Sequence, residues 1–143
     1  MAASQPLVPQ RPGRSKSVRR FTLKEANSTL PLVKRIVADI VKTHTTATQL
    51  RQKIEDLDGG KELTGAQGQL HRAVEQLQDF VEELTAVGAQ LKDFQTGLID
   101  FVGRHEGRDV YLCWKLGEEA IGYWHELDAG FGGRKPIATL REK

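Results

Sequence analysis

Apolar residues recur at seven-residue intervals over two long stretches of the chain, and this pattern restricts the fold more than any other feature. In the first stretch one column begins at Val33 and a second begins at Ile36, which is the spacing of the buried face of a helix. The two columns contain Val33, Ile36, Ile40, Thr43, Ala47, Leu50, Ile54 and Leu57. The pattern predicts a long helix that reaches Leu57.

The N-terminal end of this helical region carries its own signals. Thr22 precedes Glu25 by three residues, which predicts a capping box and a helix that begins at Leu23. Pro31 lacks a backbone N–H and suits the first turn of a helix better than its interior. We therefore expect a short helix from Leu23, a bend at Pro31 and a second, longer helix after the bend.

The second stretch predicts a partner helix of similar length. Residues 58–65 contain two adjacent glycines and are suited to end one helix and turn the chain, so the next helix should start near Ala66. Its apolar columns contain Leu70, Leu77, Leu84 and Leu91; Val74, Val81 and Gly88; and Ala73, Phe80, Val87 and Phe94. A short loop between helices of equal length predicts an antiparallel helical hairpin over residues 23–94.

Three apolar columns form a wider stripe than a two-helix seam requires. The extra column must be covered by the C-terminal region or by a second copy of the chain, and Gly88 would let that neighbour approach closely. We expect a homodimer on this ground.

Residues 97–137 change from helical to β periodicity. Val110, Leu112 and Trp114 alternate with Tyr111 and Cys113, which predicts a strand of a β-hairpin. Residues 119–127 suit a third strand or a short helix, and the β-forming side chains there favour the strand. The predicted fold class is α+β: residues 21–143 form a single domain with a long antiparallel, coiled-coil-like helical hairpin and a small C-terminal antiparallel β-meander.

Charge is divided unevenly along the chain. Residues 1–20 carry five basic residues and no acid, whereas the remainder carries 16 basic and 19 acidic residues. The first segment, which also contains three prolines, is predicted to be a flexible basic tail. Because the body is mildly acidic, nucleic-acid binding is not expected except weakly through residues 1–20. With one cysteine and no apolar run of membrane-spanning length, we expect a cytoplasmic protein with no membrane partner.

Rare side chains are concentrated in residues 110–134, which include the one cysteine and both tryptophans. Several residues in and near this stretch are potential ligands of zinc or iron. The candidate metal ligands are Cys113, His125, Glu118, Glu126 and Asp100. No CxxC or HExxH motif supports the assignment. A buried Cys113 beside a hydrogen-bonded His125 is the structural alternative, and a Cys113 nucleophile is less favoured because an apolar strand raises a thiol pKa.

Two further sites are candidates. Gly132 and Gly133 precede Arg134, and with Arg108 they could hold a phosphate or carboxylate, although a plain connecting loop is the alternative. Trp124 could serve as the platform for a ligand or a partner chain.

The segments FTLKEANSTLPLV and GLIDFVGRHEGRDVYLCWKLGEEAIGYWHELDAGFGGRKPI carry a family resemblance. They resemble an uncharacterised bacterial family known as domain of unknown function 2203, over about residues 21–137. The positions that match its signature are Asp100, Arg108, Cys113, Trp114, Glu118, Trp124, His125, Gly130 and Arg134. The resemblance implies the architecture and the region of interest, and it brings no reaction.

Three hypotheses for function follow. The first is a non-enzymatic binding or assembly module whose C-terminal region holds a metal ion or a small anion. The second is a metal-dependent hydrolytic or redox enzyme that uses Cys113, His125 and Glu118. The third is a nucleic-acid accessory protein that acts through the basic tail.

Overall fold

The computed structural model describes residues 18–143, and most of the predicted basic tail lies outside the described residues. Two long helices come first: α1 spans Leu23–Asp56 and α2 spans Lys61–Val87. Five strands follow, β1 Gln90–Asp93, β2 Leu98–His105, β3 Arg108–Lys115, β4 Tyr123–Glu126 and β5 Lys135–Pro136. Short 3₁₀ turns occupy Phe131–Gly133 and Ile137–Thr139. The predicted α+β class is confirmed.

Helix α1 begins as its sequence signals indicate. The Thr22 hydroxyl accepts a hydrogen bond from the Glu25 amide, and the Glu25 carboxylate accepts one from the Thr22 amide, so the capping box is complete. The predicted bend at Pro31 is wrong, because α1 continues through Pro31 as one helix. Leu30 and Val33 are both buried on the same face, so continuous apolar packing outweighs the single hydrogen bond that proline removes.

The second helix is displaced from its predicted bounds at both ends. It begins at Lys61 rather than near Ala66. Gly59 and Gly60, both with positive φ, reverse the chain direction without the help of residues 61–65. It ends at Val87, and Gly88 follows in the left-handed conformation. The prediction that the helix continues to Phe94 is wrong, since residues 90–93 form β1.

Gly88 does permit a close approach, but by another part of the same chain. A Cβ atom at this position would lie 2.6 Å from the ring of Phe21. Phe21 is buried, packs edge-on against Phe101 and donates its amide to the Val102 carbonyl. The residues just before α1 therefore join the helical hairpin to the sheet.

The sheet is an antiparallel meander with strand order β1-β2-β3-β4-β5. Glu106 and Gly107, both with positive φ, connect β2 to β3 as a two-residue turn suited to the strand twist. The strand prediction for residues 119–127 is confirmed at β4, while β1 and β5 are additional strands. Ile99, Leu112 and Trp114 lie on the inner face of the sheet and belong to the same apolar core as both helices.

Two basic residues before α1 contact the body of the domain. Arg20 forms a two-pronged ion pair with Asp109, at 2.8 and 3.0 Å. Arg19 donates to the Val87 carbonyl and lies over the Phe21 ring. Within residues 18–143, neither helix has a stretch apolar enough to cross a membrane.

Candidate functional site

The outer face of the sheet, which points away from the helices, carries three buried polar side chains. Asp100 on β2 stands directly opposite Cys113 on β3, and His125 on β4 stands opposite Tyr111, two residues from Cys113. Alternation along each strand directs these side chains to the same face. Asp100, Cys113 and His125 are 2%, 0% and 3% exposed, and we call them the Asp–Cys–His cluster.

The three side chains can converge on one point. One ligand atom from each, namely a carboxylate oxygen, the Sγ atom and an imidazole nitrogen, lies within 4.8 Å of the other two. The Nε2 atom of His125 lies 3.2 Å from both carboxylate oxygens of Asp100. Its Nδ1 atom lies 2.8 Å from the backbone carbonyl of Glu126.

These contacts determine where the imidazole proton resides. A carbonyl oxygen only accepts hydrogen bonds, so Nδ1 of His125 must carry the proton and donate to Glu126. In the neutral ring Nε2 then presents its lone pair to the Asp100 carboxyl group. A lone pair facing a carboxylate is repulsive unless a proton or a metal cation lies between them.

Burial makes negative charge in the cluster costly. It raises the pKa of the Cys113 thiol to about 12, with the nearby Asp100 carboxylate adding to the effect. Burial also raises the pKa of Asp100, although His125 opposes that shift. A bound cation would remove this penalty by compensating both anions at once.

The donor set matches what zinc prefers. Thiolate sulfur, imidazole nitrogen and carboxylate oxygen are its usual ligands, and bond lengths of about 2.0–2.3 Å hold tetrahedral ligand atoms about 3.3–3.8 Å apart. The 3.2 Å between Nε2 and each Asp100 oxygen is close to that spacing. The Nδ1 hydrogen bond to a carbonyl is the arrangement that commonly orients a metal-binding histidine. The donor set and the His125–Asp100 spacing are therefore compatible with a divalent transition metal.

Two members of the cluster line a small cavity of about 130 Å³. Asp100 and His125 face this cavity, whereas Cys113 does not line it. The remaining lining residues are Lys92, Leu98, Tyr111, Leu127, Gly130 and Phe131. Leu127 and Phe131 come from the connection between β4 and β5, so this loop covers the outer face of the sheet.

Glu118 and Glu126 lie outside the cluster. The Glu118 carboxylate accepts from Arg134 at 2.7 Å and from the Lys115 amide at 2.8 Å. The Glu126 carboxylate accepts two hydrogen bonds from Arg108, which hold its pKa below the usual range. The structure thus brings together three of the five predicted metal ligands and engages the other two in ion pairs.

The two arginines predicted to form an anion site, Arg108 and Arg134, are the partners in these ion pairs. Arg108 pairs with Glu126, and Arg134 pairs with Glu118 while it stacks 3.8 Å from the Tyr123 ring centre. Gly132 and Gly133 lie in the 3₁₀ turn before Arg134. Because both guanidinium groups already have carboxylate partners, the geometry gives an anion site at these residues little support.

Trp124 lies on the inner face of the sheet and is 2% exposed. Its ring stacks on His105 with 4.2 Å between ring centres, and its Nε1 donates to the Thr139 hydroxyl. The side chain is part of the core, so the geometry does not support its use as an open platform.

Lys92 is a cavity residue that sequence reasoning missed. Its ammonium lies 4.5 Å from the centre of the Tyr111 ring, and its charge opposes the rise in the pKa of Asp100. The sequence analysis did not predict strand β1. Because it assigned residues 88–94 to a helix, it did not place Lys92 near Asp100. Gln90 pairs with Asp100, but the register shifts between Leu91 and Asp93, so Lys92 lies at a β-bulge that alternation from the sequence does not predict.

These features define an α+β domain in which a helical hairpin supports a five-stranded antiparallel meander with a buried polar cluster on its outer face. The model of the family described as an uncharacterized conserved protein, DUF2203, matches residues 19–137. The chain therefore belongs to this family, as its sequence resemblance indicated. No match was found among curated proteins or solved structures.

Proposed function

We propose that this chain is a metal-binding module that holds one divalent transition metal ion through Asp100, Cys113 and His125. Zinc is the foremost candidate and iron the second, because thiolate and imidazole both favour them over magnesium or calcium. The observation that carries the proposal is the convergence of three different ligand atoms within 4.8 Å on one sheet face.

The electrostatics of the cluster support the proposal. The buried cluster offers a metal ion three ligands shielded from water, and without metal Asp100 pairs with His125 while the Cys113 thiol keeps its proton. A divalent ion with one thiolate and one carboxylate forms a neutral unit. Metal binding displaces the Cys113 proton, so the affinity should fall as pH falls.

A binding module is better supported than an enzyme. Glu118 and Glu126, the two predicted site acids outside the cluster that could act as general bases, are each bonded to an arginine and do not line the cavity. An enzyme remains the second candidate, because three protein ligands beside a cavity leave a coordination position that a substrate could use. Hydrolytic activity that disappears with the metal would favour that candidate.

The homodimer and the nucleic-acid role remain predictions. The stripe on which the dimer was argued loses Leu91 and Phe94, which lie beyond α2. Leu70 and Phe80 are half-buried against the chain's own core. Sedimentation of a monomer at high micromolar concentration would contradict the dimer, and salt-independent RNA or DNA binding would contradict the tail hypothesis.

The decisive experiment is metal content by elemental mass spectrometry on protein purified without a histidine tag. We expect about one equivalent of zinc or iron in the wild type and a large loss in Asp100→Asn, Cys113→Ser and His125→Gln. His71→Gln is the matched control, because His71 is exposed on α2 and pairs with Glu75. A wild type without stoichiometric metal, before and after incubation with zinc and dialysis, would contradict the proposal.

A further inference from the structure

The cavity above the Asp–Cys–His cluster has a defined chemical character. Its floor is formed by Asp100 and His125, and its apolar walls come from Leu98, Leu127 and Phe131. Lys92 contributes the one ammonium group among the lining residues. Lys92 is exposed, and its ammonium lies 4.5 Å from the centre of the Tyr111 ring at the cavity edge.

The charges around the cavity indicate the sign of the charge that it can accept. A divalent ion with the Asp100 carboxylate and the Cys113 thiolate is neutral. The nearby charges of Arg134 and Glu118 compensate each other in their 2.7 Å ion pair. Lys92 therefore supplies the one positive charge among the lining residues, and the ammonium of Lys115 lies 5.8 Å from the ring centre of Phe131, so the cavity favours an anion.

The volume favours a ligand larger than one water molecule. A single water requires roughly 10–15 Å³ of space measured for a water-sized probe. The cavity has about 130 Å³, which is enough for several waters or a short organic anion. Because most of its lining is apolar, a ligand with a short hydrocarbon part would use the walls as well as the charges.

We propose that the cavity binds a small monocarboxylate, with its carboxylate between the metal ion and Lys92 and its hydrocarbon part against Leu127 and Phe131. This inference rests on the proposed metal site. Cys113 does not line the cavity, whereas Asp100 and His125 do, so the fourth coordination position of the metal lies on the cavity side.

The test uses the full chain loaded with Co²⁺, whose visible absorption reports its ligands. Acetate, propionate and inorganic phosphate are titrated as probes at constant ionic strength. We expect a saturable spectral change with acetate and a tighter one with propionate, since the added methylene contacts Leu127 or Phe131. Phosphate should bind more weakly than either acid.

Lys92→Met keeps the side-chain length and removes the charge. It should weaken propionate binding about tenfold or more, because it removes a charge-assisted hydrogen bond. Lys24→Met, at an exposed position of α1, is the matched control and should leave the titration unchanged. Phe131→Ala should reduce the difference in binding affinity between propionate and acetate.

The possible failures separate the two proposals. If Co²⁺ binds but neither acid changes its spectrum, or if phosphate binds best, the carboxylate site is wrong and the metal site stands. An unchanged propionate affinity in Lys92→Met would also overturn the site as proposed. If Co²⁺ does not bind at all, the proposed function fails and the carboxylate site fails with it.

Discussion

The helical hairpin and the sheet bury their side chains in different ways. The seam between α1 and α2 is apolar, with Val33, Ile40 and Leu77 fully buried and charged residues on the outer surfaces. The sheet buries apolar residues on its inner face but also buries Asp100 and His125 on its outer face. Asp100 and His125 are paired with each other at 3.2 Å, which reduces the free-energy cost of burying them without removing it. Under the proposed function, the hairpin supports the fold and the outer face of the sheet holds the metal ion.

The largest effect should come from the core residue that connects the two regions. Trp114 is fully buried on the inner face and its Nε1 donates to the Glu118 carbonyl. Trp114→Ala should lower the free energy of unfolding by about 3–5 kcal/mol, from lost burial and the cavity that remains. Urea denaturation followed by circular dichroism measures this loss.

The control for this change is Val18→Ala. Because Val18 is 55% exposed, this substitution should change the free energy of unfolding by less than about 0.5 kcal/mol. A Trp114→Ala protein as stable as wild type would contradict the assignment of the inner face as a core shared with the helices.

The second prediction tests whether metal acts on the sheet and not on the hairpin. Zinc at about one hundred times its dissociation constant should stabilise the wild type by about 2.7 kcal/mol and should not stabilise Asp100→Asn. Hydrogen exchange should slow most in β2, β3 and β4, because these strands supply the ligands. If zinc slows hydrogen exchange equally in α1 and in the strands, the proposal that the metal acts on the sheet and not on the hairpin is wrong.

The third prediction concerns the metal-free protein at high pH. Burial raises the pKa of Cys113 from 9.0 to about 12, so the folded chain holds the thiol proton more tightly than the unfolded chain. Stability from this group is complete below about pH 9 and is lost as pH rises toward 12, by up to about 1.4 kcal/mol per pH unit.

Urea denaturation in the presence of a chelator, at several values of pH above 8, measures this slope. Lysines and tyrosines also titrate there, so the quantity to compare is the difference between wild type and Cys113→Ala, which lacks the thiol. Parallel stability profiles for the two proteins would show that the thiol is not buried as described.

The sequence predicted the hairpin better than the cluster for a physical reason. Heptad repeats are local and redundant, so the helices were recognisable even though the interpretation of Pro31 and of residues 88–94 was wrong. The cluster depends on the register between strands. Its three residues are spread over 26 positions, from Asp100 to His125, and their identities do not specify that register. Glu118 and Glu126 carried the same ligand chemistry as Asp100, and only their arginine partners in the fold separate them.

The fourth prediction has the smallest expected effect. It tests whether the hairpin can be destabilised without changing metal binding by the cluster. Thr22→Ala removes the hydroxyl that accepts from the Glu25 amide at 3.0 Å, and it should lower the free energy of unfolding by about 1 kcal/mol. Ser28→Ala is the matched control, because the Ser28 hydroxyl donates to the Glu25 carbonyl within an exposed helix turn and should matter less.

Both variants should bind zinc with wild-type affinity, because each hydroxyl bonds to the Glu25 backbone in the first turns of α1 and neither residue belongs to the cluster. Fluorescence-detected zinc competition, beside urea denaturation of the same samples, measures the two quantities together. If Thr22→Ala weakens zinc binding in proportion to its loss of stability, the cluster and the hairpin form one cooperative unit. The outer face would then depend on the full fold, and the division of roles between the two regions would be wrong.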